Sequence, residues 1–320
     1  MGHHIMNAPS SRKVSLIGTG FVGSSFAYAL MIRGIANELH LVDANEDKAI
    51  GEMMDLQHGL SFARPMKISS GGYEGCAGSQ VVVITAGTSQ KPGETRIDLL
   101  GRNAGIFRTI VRKVVEASPE SIILIATNPV DLLTYVSLKV SGLPPSQVIG
   151  SGTILDTSRF RYLLGQHYGV DARSVHAYIL GEHGDSEIPV WSLASIGGVR
   201  LQEFAPLKNK AYVQEEMDRL FLQVRDAAYE IIKLKGATYY AIGLGLVSIV
   251  EAILGDYKRV LSVSTLMTGQ HGVNDICLSL PCIVGASGVE EILTLNLDTV
   301  EVSGFQSSAQ KLKGLLSSLT

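Results

Sequence analysis

The chain has 320 residues, 46% of them hydrophobic and 18% charged, with 27 Lys+Arg against 30 Asp+Glu and a formal net charge of -3. A chain this long and apolar can bury two cores, at roughly 150 residues per domain, which excludes general disorder. The balanced charge excludes a basic field for a nucleic-acid backbone, so the expected partner is a small molecule.

From the amino terminus the pattern alternates. A short apolar strand over residues 13–17 leads into a glycine-rich turn and a helix over 24–35, which Gly34 can end. A second strand over 38–42 and a polar helix over 46–58 follow, then strands over 66–70, 81–85 and 122–126. A long helix over 98–117 separates the last two and stops before Pro119. Val81-Val82-Val83-Ile84 and Ile122-Ile123-Leu124-Ile125 are apolar without two-fold alternation, as central parallel strands covered on both faces must be. Strand and helix alternating at this spacing predict a Rossmann-type α/β fold, a doubly wound parallel sheet, over residues 12–150.

Beyond Gly150 the pattern turns to mixed α+β, which predicts a second, catalytic domain over 151–320. Its expected elements are a helix over 154–168, a strand over 175–180, and long helices over 212–235 and 238–254. Strands over 260–267, 282–285 and 289–295 and a terminal helix over 303–319 complete it. No long linker separates the halves. Cys76, Cys277 and Cys282 are too few and too irregularly spaced for a disulfide framework or a zinc site, so reduced thiols in a cytoplasmic protein, with no metal, are expected. The longest uncharged apolar stretch, 236–250, falls short of the ~18 to 20 residues that span a bilayer. Residues 1–11 lack the apolar run of a signal peptide and are read as outside the fold.

Gly18-Thr19-Gly20-Phe21-Val22-Gly23 fits G-x-G-x-x-G and lies between a strand and a helix, where backbone N–H groups can meet a pyrophosphate. Asp43 stands 20 residues beyond Gly23, at the end of the next strand, where a carboxylate would accept hydrogen bonds from a ribose diol. The same charge would repel a 2′-phosphate, so the expected cofactor is NAD rather than NADP.

Three further segments carry polar residues that turns and cores do not require. One is the loop from Gly87 to Arg96, with Pro92-Gly93 suited to a lid. Another is Asp156 to Arg161, in which Asp156 and Arg159 share a helix face and Arg161 is turned away by about 140°. An i,i+3 ion pair by itself would also account for the first two. The third is Gly181-Glu182-His183-Gly184-Asp185, which exposes a histidine at a strand end.

With Gln90-Lys91-Pro92-Gly93-Glu94-Thr95-Arg96, Thr127-Asn128-Pro129-Val130-Asp131 and Gly152-Thr153-Ile154-Leu155-Asp156 in the same order, the chain from about Lys13 to Leu319 resembles the lactate/malate dehydrogenase family. The resemblance implies His183 as the proton donor and acceptor, oriented by Asp156 with a pKa close to working pH. It implies Arg159 on the substrate carboxylate, Arg96 on the carbonyl after lid closure, and Asn128 near both substrate oxygen and nicotinamide, with a cis Asn128-Pro129 bond. It implies Gly18, Gly20, Phe21, Val22, Gly23, Asp43 and Asn128 around the cofactor. Family members acting on oxaloacetate place an arginine where this chain has Gln90, and an amide cannot offset a buried second carboxylate. Gln90, with Glu94, Glu182, Trp191 and Thr238, therefore points to pyruvate and lactate, with malate and oxaloacetate as the alternative. In bacterial members the residues matching Arg161 and His176 bind fructose 1,6-bisphosphate between subunits, which marks that pair as an allosteric candidate. The family also implies a homotetramer.

Overall fold

The structure, a computed structural model, describes residues 12–88 and 96–317. Gln90 and the rest of the segment 89–95 lie outside the described residues, as does the side chain of Arg96. The first half holds β1 (Lys13–Ile17), α1 (Phe21–Arg33), β2 (Glu38–Val42), α2 (Glu46–Gly59), β3 (Lys67–Ser70) and β4 (Val81–Ile84). It continues with α3 (Arg96–Ala117), β5 (Ile122–Ile125), α4 (Val130–Ser141) and β6 (Val148–Gly150). These six strands are parallel, in the order β6-β5-β4-β1-β2-β3. Successive strand side chains face opposite sides. Val81 and Val83 accordingly enter one core cluster with Phe26 and Leu30, while Val82 and Ile84 enter another with Phe107 and Val111. Both faces are covered, which is why the strand sequences show no polar alternation.

The second half opens with α5 (Ile154–Tyr168), ended by Gly169 in a left-handed conformation. The strand expected over 175–180 is divided into β7 (Val175–His176) and β8 (Ile179–Leu180), which join different small sheets. Then come β9 (Ile188–Pro189), β10 (Ser195–Ile196), β11 (Val199–Arg200), α6 (Leu201–Leu207), α7 (Gln214–Lys235) and α8 (Tyr240–Leu254). The chain ends with β12 (Arg259–Thr268), β13 (Asn274–Gly285), β14 (Gly288–Ile292) and α9 (Thr299–Ser317).

Two features exceed the sequence-based expectation. Helix α4 was not anticipated, because Val130, Leu132 and Leu133 are all buried and leave no amphipathic period to read. The second half also adds β12, β13 and β14 to the first half's sheet, antiparallel, through the pairing of Ser264 with Gly150. One nine-stranded sheet therefore runs through both halves, and the division expected at Gly150 falls inside it. Helix α8 packs on α1, fixing the second half against the dinucleotide turn.

Candidate active site

The glycine turn lies between the C-terminal end of β1 and α1, next to β4, where the strand order reverses and ligands of open α/β sheets bind. Gly18 has φ +97°, and a Cβ there would stand 2.6 Å from the Ala86 nitrogen. A Cβ on Gly23 would come 2.0 Å from the Gly18 oxygen, so close approach of helix and turn requires both glycines. The place a Gly20 side chain would occupy has nothing within 4 Å. Helix α1 carries no side-chain cap and no acidic residue in its first turn. As the first residues of the helix, Phe21, Val22 and Gly23 have N–H groups without an intrahelical acceptor, a cradle that fits a pyrophosphate.

Asp43 has a more structural part than its sequence position suggests. Its Oδ2 accepts from the Thr19 N–H at 2.6 Å and the Thr19 hydroxyl at 2.9 Å, and its Oδ1 accepts from the Asn45 N–H at 2.9 Å. Burial pushes its pKa up, but these hydrogen bonds outweigh burial and hold it below the usual carboxylate range. Asp43 stays charged, pins the glycine turn, and retains acceptor capacity for a ribose. Glu46 lines the same small cavity as Asp43, which adds to the repulsion of a 2′-phosphate.

Across the crevice, α5 and the turn after β8 meet. The Thr153 hydroxyl donates to the Ile179 carbonyl at 2.6 Å, and the Ile179 N–H donates to the Thr157 hydroxyl at 3.1 Å. Gly181 exchanges two backbone hydrogen bonds with Ser279 of β13, at 3.0 and 2.9 Å. The His183 N–H donates to Asp131 Oδ2 of α4 at 2.7 Å. Three elements thus fix the histidine's backbone before its ring makes any contact.

The ring Nδ1 lies 2.5 Å from Asp156 Oδ2, and Arg159 Nη1 donates to Asp156 Oδ1 at 2.8 Å. Asp156 is 2% exposed. An ionised carboxylate can only accept, so Nδ1 carries a proton and Nε2 is the nitrogen left for a substrate. Burial raises Asp156, but His183 and Arg159 on its two oxygens outweigh it and hold the carboxyl below its ordinary range. Burial lowers His183, yet the charge and hydrogen bond of Asp156, with Asp131 and Glu187 nearby, lift it to about 9. This corrects the expectation of a pKa near working pH: the imidazole is set as a proton donor at neutral pH. The i,i+3 pair of Asp156 and Arg159 is present, but it is one half of a three-residue arrangement.

These residues line one cavity of about 300 Å³, whose other walls include Asn128, Pro129, Leu132 and Ile232. The Asn128-Pro129 bond is cis, as the resemblance implies. Thr238 is half-buried in the turn between α7 and α8 and does not line this cavity. Arg161 lies on the other side of α5, its Nε donating to the Ala177 carbonyl at 3.0 Å and its guanidinium 5.2 Å from the Tyr178 ring centre. It lines a second cavity with Arg173, while His176 is exposed on β7. Sequence reasoning gave no role to Asp131 or Glu187. The signal was present as single acids beside apolar runs, Val130-Asp131-Leu132-Leu133 and Glu187-Ile188-Pro189-Val190.

Residues 12–150 match the family model described as lactate/malate dehydrogenase, NAD binding domain, and residues 153–319 match that described as lactate/malate dehydrogenase, alpha/beta C-terminal domain. The chain is 54% identical over 307 residues to an L-lactate dehydrogenase of Priestia megaterium, covering 95% of this chain and 96% of the relative. It is 50% identical to one of Acetivibrio thermocellus, covering 96% and 97%. Among solved structures it is similar to a lactate dehydrogenase from a Medee basin deep-sea metagenome library, with TM-score 0.94, 46% identity and coverage of 97% and 99%. The minor L-lactate dehydrogenase of Enterococcus mundtii in a ligand-bound form gives TM-score 0.94 at 45% identity, with the same coverage. Fold, glycine turn and histidine cluster together define an NAD-dependent dehydrogenase of 2-hydroxy acids. The chain belongs to the lactate/malate dehydrogenase family.

Proposed function

We propose that the protein interconverts pyruvate and (S)-lactate, with residues 12–150 binding the cofactor and residues 151–320 the substrate. The observation that carries this reading is the shared carboxylate of Asp156, which holds the proton donor His183 on one oxygen and the anion binder Arg159 on the other. Among the described residues Arg159 has a single donor engaged, which leaves enough for a planar two-point contact with a carboxylate. That contact places the 2-oxo group against Nε2 of His183. When bound, the dihydronicotinamide supplies the hydride that reduces the carbonyl carbon. His183 gives its proton to the carbonyl oxygen, so pyruvate, one hydride and one proton become lactate, and Asp156 steadies the imidazolium beforehand. Arg96, by the family resemblance, polarises the carbonyl once the lid closes. The phosphates would rest on Gly18, Gly20, Phe21, Val22 and Gly23, the ribose on Asp43, and the nicotinamide near Asn128.

Pyruvate is favoured over oxaloacetate by the charge of the wall as well as by Gln90. The other two cations that line the cavity already have carboxylate partners: Arg225 is bonded to Asp226 at 3.0 Å and Lys311 to Glu182 at 2.9 Å. A second substrate carboxylate would find no unpaired counter-ion among these described wall residues, an unfavourable arrangement by several kcal/mol. NADH consumption followed with each keto acid tests this: kcat/KM should be higher for pyruvate by about 10²-fold or more, and faster turnover of oxaloacetate would overturn the reading.

The same reading includes a cytoplasmic location, in keeping with three buried, unpaired cysteines, and a homotetramer. Helices α1 and α8 leave Tyr28, Ile32, Tyr240 and Leu244 exposed, an apolar surface suited to other copies of the chain. It also assigns fructose 1,6-bisphosphate to Arg161 and His176, supported by the placement of Arg161 beside Arg173 at a cavity separate from the active site. The bisphosphate should shift the pyruvate saturation curve to lower concentration; an unchanged curve removes the assignment.

A further inference from the structure

Glu187 lies four residues beyond His183, where the loop leads into β9, and it is 6% exposed. Its Oε1 is buried and finds no hydrogen-bond partner among the described residues. Its side chain lines the substrate cavity, and one oxygen of Glu187, one of Asp156 and a ring nitrogen of His183 lie within 4.8 Å of one another. A carboxylate in that place would be a buried charge with one oxygen left without a hydrogen bond among the described residues.

The charged groups around it come from several elements. Asp156 and Arg159 approach from α5, His183 from the preceding turn, and Arg225 from α7. Asp131 of α4 approaches His183 from behind. Arg225 is bonded to Asp226, and Asp185 on the rim accepts from the Tyr229 hydroxyl. In the inner group the cations Arg159 and His183 balance the anions Asp131 and Asp156. A proton on Glu187 preserves that balance, and its loss would set a net negative charge against an incoming monoanion.

We propose that Glu187 is a positioning residue that serves the reaction as a neutral carboxylic acid, its proton keeping the His183, Asp156 and Arg159 cluster receptive to a 2-oxo monocarboxylate. The proposal rests on the pyruvate-reducing role given to this site. Burial first, and then the neighbouring Asp156, raise Glu187 to about 9, so the neutral form prevails at neutral pH.

The test compares KM for pyruvate in the wild-type enzyme and Glu187→Gln from about pH 7 to about pH 10.5. Loss of the His183 proton weakens binding in both, but only the wild type has a second proton to lose. The wild-type-to-variant KM ratio should be about tenfold larger near pH 10 than near pH 7, and a ratio that does not change with pH overturns the proposal. A purely structural Glu187 would give parallel curves. Infrared spectra of the substrate-free wild type keep the proposal testable if the variant does not fold. The carbonyl stretch of a protonated carboxyl should persist past neutrality and vanish as pH rises through about 9, after Asp131, raised by burial only to about 6, has titrated. Absence of that band above about pH 7.5 also overturns the proposal. The band together with no pyruvate turnover at any pH would sink the catalytic reading while leaving the charge state of Glu187 supported.

Discussion

Replacing His183 with asparagine should lower kcat for pyruvate reduction by about 10² to 10⁴-fold, with NADH affinity, read by fluorescence titration, changed little. The reason is division of labour across the crevice. The glycine turn and Asp43 are the groups proposed to hold the dinucleotide, and none of their hydrogen bonds involves His183. The histidine's own contacts are to Asp156 and Asp131 in the substrate half of the crevice. A fall in NADH affinity as large as the fall in kcat would contradict this separation. The pH dependence follows in sign from the raised pKa. With His183 as the proposed proton donor, the rate of pyruvate reduction should hold through neutral pH and fall as pH rises through about 9, while lactate oxidation should rise over the same window. Burial alone would have placed the histidine below 6.5 and made it a poor donor; the Asp156 carboxylate reverses that.

Arg159→Leu should produce the second large effect, a rise in KM for pyruvate of about 10²-fold or more, through loss of the one cation that α5 presents beside Asp156. Leucine also leaves the buried Asp156 carboxylate with His183 as its single charged partner among the described residues. A decrease in thermal stability, measurable as a lower Tm, should therefore accompany the loss of substrate affinity, because breaking a buried pair costs about 3–5 kcal/mol. Arg159→Lys should recover part of the stability and less of the affinity, since an ammonium keeps the charge but not the two-point geometry. Unchanged pyruvate affinity in Arg159→Leu would contradict the assignment.

Much of the site was legible because backbone requirements leave signatures in local sequence. A glycine turn between strand and helix reads directly, as does an acid at the end of the following strand. The helical angle between Asp156, Arg159 and Arg161 separates two faces of one helix, and the structure places Arg159 and Arg161 at two different cavities. Less legible was whatever depends on segments distant in the chain. Asp131 meets the His183 N–H from 52 residues away. Asp43 meets Thr19 from 24 residues away, so its duty as an anchor for the glycine turn was hidden behind its expected duty to a ribose. Thr238 matches its family position in sequence, yet it falls outside the wall that the described residues make.

The amino-acid sequence by itself determined the alternation of strands and helices in the first half, the glycine turn with its acid after the next strand, and the charge argument for NAD, while the parts given to His183, Asp156 and Arg159 are what the family resemblance implies. The elements and the turn follow from short-range rules: strand and helix periods and glycine geometry. Only the tertiary structure decided that both halves share one sheet, that His183 is raised to about 9, and that Glu187 stands buried beside it. Those properties arise from burial and from charges brought within a few ångströms by packing. The energy of a charge depends on what surrounds it in space, and the linear chain does not specify those surroundings until it has folded.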